Sequence, residues 1–114
     1  MFIKNFNKPD EVRTPPKTKV EVVKVGDSTV MRATFEPGWK WSEHVKPIAG
    51  TPSCQVEHVG LVVSGRAKVV MDDGAEIVLK PGDLFAIAPG HDSWVVGDEP
   101  YVSLHLLGAA AYAK

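Results

Sequence analysis

The sequence predicts an all-β fold, a sandwich or a barrel, in a single domain. Nine prolines and ten glycines divide the 114 residues into short segments, and short segments bounded by turn residues are typical of strands. The segments favour β-branched residues, and none shows the apolar spacing of an amphipathic helix. A domain of this size buries roughly two-thirds of the surface that its unfolded chain exposes, so one core is feasible.

Eight predicted strands follow one another along the chain, each ended by a turn. The first, residues 19–25, ends at Gly26, and the second, residues 29–36, ends at Pro37. A later turn at Gly74 follows two aspartates, which is typical of a tight hairpin. The remaining predicted strands cover residues 55–63, 66–71, 76–80, 84–88, 93–96 and 101–107.

Two stretches do not fit this succession of strands. Residues 7–18 are polar and rich in proline, and the adjacent Pro15 and Pro16 exclude a regular helix there. Residues 43–53 are too rich in proline and glycine for a strand, so we expect a long loop, and such loops are often functional. The predicted organisation is an extended N-terminal arm (1–18), a barrel (19–107) and a C-terminal tail (108–114).

Composition and charge exclude several classes of protein. Thirteen basic and fourteen acidic residues give a net charge of -1, without the basic block expected of a nucleic-acid binder. No stretch approaches the roughly 18 apolar residues that a membrane span needs. Residues 1–13 do not resemble a signal peptide, so we expect a cytoplasmic location. The single cysteine, Cys54, excludes a disulfide within the chain and a multi-cysteine zinc module.

The order of turns between Val59 and Val96 resembles the core of a small single-domain cupin. In that family a strand ends in glycine, and a Pro-Gly-Asp turn and a Pro-Gly turn follow at fixed separations. Here Gly65, Pro81-Gly82-Asp83 and Pro89-Gly90 occupy those positions. The resemblance implies an antiparallel double-stranded β-helix, or jelly roll, whose mouth holds a ligand or metal site.

The resemblance also implies a homodimer. The apolar residues Phe2, Ile3 and Phe6 favour the same interpretation, because they need a surface to cover them. Either the barrel or a partner subunit would supply that surface.

The usual metal ligands of the family are missing when its motifs are carried over residue by residue. The two histidine positions of the first motif fall on Pro52 and Cys54. Its glutamate position falls on His58, because this residue stands seven places before Gly65. The histidine position of the second motif falls on Ser93. The chain therefore departs from the metal-binding pattern of the family.

Nearby histidines offer a replacement set of ligands. His44 fits the opening of the first motif if the residues after it are an insertion. His91 lies two residues before Ser93 and would point to the same side of an extended strand. We predict that His44, His58 and His91 converge on one divalent ion, with Cys54 beside them. Imidazole suits Zn, Fe, Ni or Cu, and three ligands leave a position open for substrate or water.

The rest of the predicted pocket is largely aromatic. Trp39, Trp41 and Trp94 flank the candidate ligands and would suit a small apolar or ring-bearing molecule. We expect Cys54 to be a buried, inert thiol, since four residues of strand separate it from His58 by roughly 13 Å. The predicted ligand-pocket residues are Cys54, Trp39, Trp41, Ser93, Trp94 and His105.

Three functional interpretations are open at this point. The first is a metal-dependent enzyme of the dioxygenase or isomerase class that acts on a small organic acid or an aromatic, with the ion as Lewis acid or oxygen-activating centre. The second is a metal-free module that binds or senses a small molecule, which the absent glutamate and Ser93 favour. The third is a dimeric scaffold without ligand. Because the same fold occurs in proteins of all three kinds, the fold alone does not distinguish these interpretations.

Overall fold

The computed structural model describes residues 1–107, within which the chain forms nine strands and two helices of one turn each. The elements are β1 (Glu11–Arg13), β2 (Thr18–Val25), β3 (Ser28–Phe35), α1 (Trp41–His44), α2 (Lys46–Ala49), β4 (His58–Ser64), β5 (Arg66–Met71), β6 (Glu76–Leu79), β7 (Leu84–Ile87), β8 (His91–Val96) and β9 (Tyr101–Leu107). The prediction of an all-β fold is confirmed.

The strands form two sheets that share one core. The larger sheet has the order β1-β2-β3-β9-β4-β7, and the smaller has the order β6-β5-β8. Every pair of neighbouring strands is antiparallel. Buried side chains from both sheets join in a single hydrophobic cluster. The sheets therefore enclose an interior between them.

Alternation along the strands decides which side chains enter this interior. On β2 and β3, Val20 pairs with Ala33 and Val22 with Met31, and all four are at most 1% exposed. The intervening residues point to the other face, because side chains of a strand alternate between faces.

The segment predicted as a loop, residues 43–53, contains helical turns, so that prediction is wrong in part. The turn α1 begins just before it, and α2 lies within it. Pro47 occupies the first turn of α2, where proline is tolerated because its missing N–H has no partner there. Gly50 ends α2 with a left-handed φ of 73°, a conformation that glycine adopts readily. The proline and glycine that indicated a loop instead start and stop a short helix.

The N-terminal arm contains a strand that the sequence did not predict. Residues 11–13 form β1 and pair with β2, because the stretch before Pro15 can extend along the sheet edge. Phe6 packs under the Arg32 guanidinium, but Phe2 and Ile3 are 70% and 87% exposed. Both side chains are therefore largely uncovered within residues 1–107, and the homodimer stays a prediction. The predicted tail, 108–114, lies outside the described residues.

Within residues 1–107, no helix has the length and apolar character that crossing a membrane requires.

Candidate metal centre

A small cavity lies between the two sheets. Its volume is about 40 Å³, against roughly 30 Å³ for one water molecule in the liquid and about 150 Å³ for an engineered cavity that binds benzene. An aromatic molecule therefore does not fit unless a lining residue moves. The polar lining residues are Cys54, His58, His91, Ser93 and His105, and the others are Phe35, Trp39, Trp41, Ala67, Val69, Leu79, Phe85, Ile87 and Tyr101.

Three of the polar residues form a group with metal-ligand chemistry. One ligand atom from each of Cys54, His58 and His91 lies within 4.8 Å of the others. The three side chains are 2%, 4% and 3% exposed. They come from different parts of the fold, since His58 begins β4 and His91 begins β8. The group is thus a product of tertiary structure.

A backbone bridge brings Cys54 to His91. The Cys54 N–H donates to the His91 carbonyl at 2.7 Å, and the Gly90 N–H donates to the Cys54 carbonyl at 2.7 Å. Through these bonds Cys54 pairs with His91 in an isolated antiparallel bridge alongside β8.

The expectation that Cys54 and His58 are too far apart to interact is wrong. Cys54 Sγ lies 3.6 Å from His58 Nε2. The expected separation assumed one strand from residue 55 to 63, but β4 begins only at His58. Residues 55–57 belong to no strand, and their path brings the thiol back toward the ring.

His91 is oriented by a hydrogen bond from its other ring nitrogen. His91 Nδ1 lies 2.8 Å from the Ala88 carbonyl oxygen. A carbonyl only accepts, so Nδ1 carries the proton and Nε2 keeps its lone pair. Histidine ligands of metal ions commonly donate their second N–H to a carbonyl in this way.

Burial keeps the histidines neutral. Burial, together with smaller effects of the neighbouring rings of His105 and His91, lowers the pKa of His58 to about 3. It lowers the pKa of His105 to about 4. Burial also lowers the pKa of His91, against the opposing effects of the Ala88 hydrogen bond, Asp72 and Asp92. Neutral imidazole is the form that binds metal ions.

The thiol of Cys54 is held in its protonated form. Burial raises its pKa, and the nearby Asp92 raises it further, against a hydrogen bond with the Val56 backbone. A protonated thiol donates weakly, so it suits the lone pair of His58 Nε2. Binding of a metal ion would have to displace this proton, because the thiolate is the ligand.

His105 adds a third histidine to the cavity, next to the group. Its ring lies 5.0 Å from that of His58 and 5.5 Å from that of Phe85, measured between centroids. His105 Nε2 is 2.8 Å from Ser103 Oγ, two residues back on β9. The pair places a hydroxyl and a neutral imidazole beside the candidate ligands.

The structure does not bring His44 to the other two predicted ligands. His44 ends α1, and its Nδ1 lies 3.0 Å from the backbone nitrogen of Lys40 and 3.1 Å from its carbonyl oxygen. The helical turn folds the ring back onto its own backbone. Cys54 takes the place of His44 in the group.

Of the other predicted pocket residues, some line the cavity and one does not. Trp39, Trp41 and Ser93 line the cavity. Trp94 does not, because it follows Ser93 on β8 and so points to the outer face. There Lys40 Nζ and Lys68 Nζ lie 5.0 and 5.9 Å from the centre of its ring. The proximity of Trp94 to Ser93 in sequence misled the prediction, which ignored strand alternation.

Sequence reasoning missed three aromatic residues of the cavity, namely Phe35, Phe85 and Tyr101. Tyr101 shares one face of β9 with Ser103 and His105, so the alternation along that strand was a usable signal. Phe35 stands opposite Tyr101 in the pairing of β3 with β9. The position of Phe85 depends on a tertiary contact with Gly60 that no local pattern shows.

The donor set fits a transition-metal ion. Tetrahedral zinc with its usual bond lengths to sulfur and nitrogen separates those two atoms by about 3.6 Å, and Cys54 Sγ and His58 Nε2 lie 3.6 Å apart. One thiolate and two imidazoles suit Zn, Fe or Cu better than the hard cations Mg and Ca. Three protein ligands also leave a position open, as in catalytic zinc sites.

No family model matches the sequence, and no curated protein is similar to it. Solved structures do match. A protein of unknown function from Rhizobium leguminosarum is 19% identical, with 94% of this chain and 95% of that chain covered and a TM-score of 0.67. KdgF from a Halomonas species is 21% identical, with 93% of each chain covered and a TM-score of 0.60.

Two further structures carry the cupin name. A sugar phosphate isomerase of the cupin superfamily from Silicibacter pomeroyi is 21% identical, covers 86% of this chain and 73% of that chain, and has a TM-score of 0.59. A cupin-like protein from Thermotoga maritima is 19% identical, covers 81% of this chain and 68% of that chain, and has a TM-score of 0.56. With two antiparallel sheets around a common interior, the chain has the cupin fold.

Proposed function

We propose that the chain binds one divalent transition-metal ion through Cys54, His58 and His91 and acts as a metal-dependent enzyme of the dioxygenase or isomerase class on a small molecule. The observation that carries this proposal is the convergence of three buried ligand atoms within 4.8 Å. The isomerase among the similar structures supports the second class by analogy of fold.

The residues around the group suit this role. When bound, the ion would supply Lewis-acid or oxygen-activating chemistry. The apolar walls exclude bulk water, which strengthens electrostatic interactions inside the cavity. His105 lines the cavity, and the contact of its Nε2 with Ser103 Oγ at 2.8 Å orients the ring beside the candidate ligands.

Metal content of purified variants tests the proposal. Chelator-treated protein is reloaded with Zn, Fe, Ni or Cu in separate samples, and bound metal per chain is measured by elemental analysis. We expect one ion in the parent chain. His58→Ala and Cys54→Ala should weaken binding by more than the roughly 10- to 100-fold that losing a ligand's hydrogen-bond partner typically costs.

His44→Ala is the matched control, because it removes a histidine that the structure leaves out of the group. It should load like the parent chain. Full loading of His58→Ala would contradict the proposed ligand set, and a parent chain that takes up none of the four metals would contradict the function.

A metal-free binding or sensing module is the second candidate. The thiol of Cys54 can donate to His58 Nε2 across 3.6 Å, so the group is chemically consistent without an ion. The same elemental analysis separates the two candidates.

A further inference from the structure

Two tryptophans close one side of the cavity from a segment outside the main sheets. Trp39 and Trp41 are 3% and 2% exposed, and both line the cavity. Strand β8 holds them in place. The Val95 N–H donates to the Trp39 carbonyl at 3.0 Å, and the Ser42 N–H donates to Asp92 Oδ1 at 3.1 Å.

The volume of the cavity limits what it can hold. A volume of about 40 Å³ is close to the roughly 30 Å³ share of one water molecule and far below the roughly 150 Å³ of a benzene site. A molecule of two or three non-hydrogen atoms is thus the largest that fits.

Trp41 lies on a wall of the cavity that can move without breaking a sheet. Phe35 and Tyr101 face each other in the pairing of β3 with β9, so displacing either disturbs a central ladder. Trp41 lies on a single helical turn, α1. Short elements with few backbone bonds to the rest of the fold open at lower free-energy cost than central strands.

Trp39 indicates which small ligands suit the site. Its Nε1–H is buried and has no hydrogen-bond acceptor within residues 1–107, whereas most buried polar groups are bonded. A ligand with an acceptor atom would satisfy it.

From these observations we infer that Trp41 sets the upper size of the ligand. The closed site takes acceptor-bearing molecules of two or three non-hydrogen atoms, of the class of dioxygen, peroxide or azide. Larger ligands enter only when α1 moves away from β8. The role of the ion in this inference rests on the proposed function. The movement of α1 away from β8, which we call the gate, does not require the ion.

The single thiol of the chain tests the gate without metal, because Cys54 lines the cavity. Metal-free protein is treated with hydrogen peroxide, a small reagent of two non-hydrogen atoms that oxidises the thiolate to the sulfenic acid, and with a large aromatic reagent, dithiobis(nitrobenzoate). Each rate is divided by the rate at which that reagent reacts with a free thiol. The ratio of the two corrected rates does not depend on the fraction of Cys54 that is thiolate, because the same thiolate attacks both reagents. We expect the small reagent to be favoured by roughly tenfold or more under conditions where global unfolding does not expose the thiol, because only the large reagent needs α1 to open.

Trp41→Ala should bring this ratio close to one, and Trp94→Ala, the same change on the outer face, should leave it as in the parent chain. If Trp41→Ala does not fold, Asp92→Asn serves instead, because it weakens the contact with Ser42 and should lower the ratio in the same direction. A parent chain that reacts with both reagents equally, or a folded Trp41→Ala with an unchanged ratio, would overturn the inference.

A second experiment links the gate to the ion. Cobalt-loaded protein is titrated with azide and with imidazole, and binding is read from the visible absorption spectrum. We expect azide alone to change the spectrum of the parent chain, and both to change that of Trp41→Ala. A parent spectrum that responds to imidazole would overturn the size limit. Failure to bind cobalt would count against the proposed function, while the thiol experiment would still decide the gate.

Discussion

A single hydrogen bond fixes the ring of His91, and its acceptor is a backbone carbonyl, that of Ala88. The orientation therefore depends on the turn that precedes β8 and not on another side chain. The position of the His58 ring is likewise set by the backbone, because the start of β4 places this residue inside the cavity. The site is thus built from neutral side chains whose ligand atoms already lie close together.

Gly60, two residues after His58, leaves room for the ring of Phe85. A Cβ atom at this position would lie 2.2 Å from the Leu104 carbonyl oxygen and 2.7 Å from Phe85 Cζ. We predict that Gly60→Ala destabilises the protein by about 3 kcal/mol, at the top of the range for overpacking, and shifts the NMR signals of the His105 ring.

Gly74→Ala is the control for that variant. Gly74 has a φ of +93° with nothing within 4 Å of an added Cβ, so it should cost only the backbone strain of about 1 kcal/mol and leave His105 unchanged. Equal losses in urea denaturation of the two variants would show that the close approach of β4 and β9 is not the cause.

Elements of structure place the candidate ligands by tertiary contacts more than by local pattern. The sequence predicted that His58 and His91 would approach each other, since both positions follow from the turns that bound β4 and β8. It placed Cys54 beside the ion but did not predict its contact with His58, because the path of residues 55–57 depends on the bridge between Cys54 and His91. Nor could it exclude His44, whose ring turns back onto Lys40 once α1 forms.

The pairing of β2 with β3 includes an ion pair on the face away from the core. Glu21 and Arg32 are direct neighbours in the register and share two hydrogen bonds, of 3.0 and 2.8 Å. We predict that Glu21→Gln lowers the free energy of unfolding at pH 7 by about 1 kcal/mol, a value discounted because Arg32 is partly solvated.

The pH dependence of that loss has a definite sign. The hydrogen bond with Arg32 lowers the pKa of Glu21, so its stabilising effect is present above the unfolded pKa and disappears as pH falls through the folded value. Glu99→Gln, in an exposed turn, is the control and should cost little. An equal loss in both variants would contradict the role given to the ion pair.

The molecule as a whole should be sensitive to mild acid when it holds no metal. The pKa values of His58 and His105 are lowered to about 3 and about 4, and that of His91 is lowered as well. Below the ordinary histidine pKa of about 6.5, the unfolded chain binds protons that the folded chain does not. Stability is therefore complete above about pH 6.5 and falls as pH drops toward the folded values.

We predict a loss of roughly 1.4 kcal/mol per pH unit for each of His58 and His105 between about pH 6 and pH 5. Urea denaturation of chelator-treated protein at several pH values measures it. His58→Gln should make the loss of stability per pH unit smaller by roughly 1.4 kcal/mol. A flat profile in the parent chain would contradict the burial of these rings.

A bound ion should stabilise the whole fold. A ligand at one hundred times its dissociation constant raises the free energy of unfolding by about 2.7 kcal/mol if it binds only the folded state. We predict such a gain for the parent chain and for His44→Ala on adding the preferred metal, and none for His58→Ala. Thermal denaturation with and without metal measures the difference.

The fold was largely predictable from the sequence and the site was predictable only in part. The turns at Gly65, Gly82 and Gly90 are visible in the sequence, and they determine where strands end. The exclusion of Trp94 follows from strand alternation, which the sequence also shows. The cavity volume depends instead on how the sheets close around each other, which no spacing of residues reveals.

X-ray absorption spectroscopy of the metal-loaded protein tests the central claim most directly. We expect one sulfur at about 2.3 Å and two imidazole nitrogens at about 2.0–2.1 Å from the ion if that ion is zinc, with the sulfur absent in Cys54→Ala. A parent spectrum with nitrogen and oxygen neighbours alone would show that the ion is held elsewhere and would contradict the assignment of Cys54, His58 and His91 as its ligands.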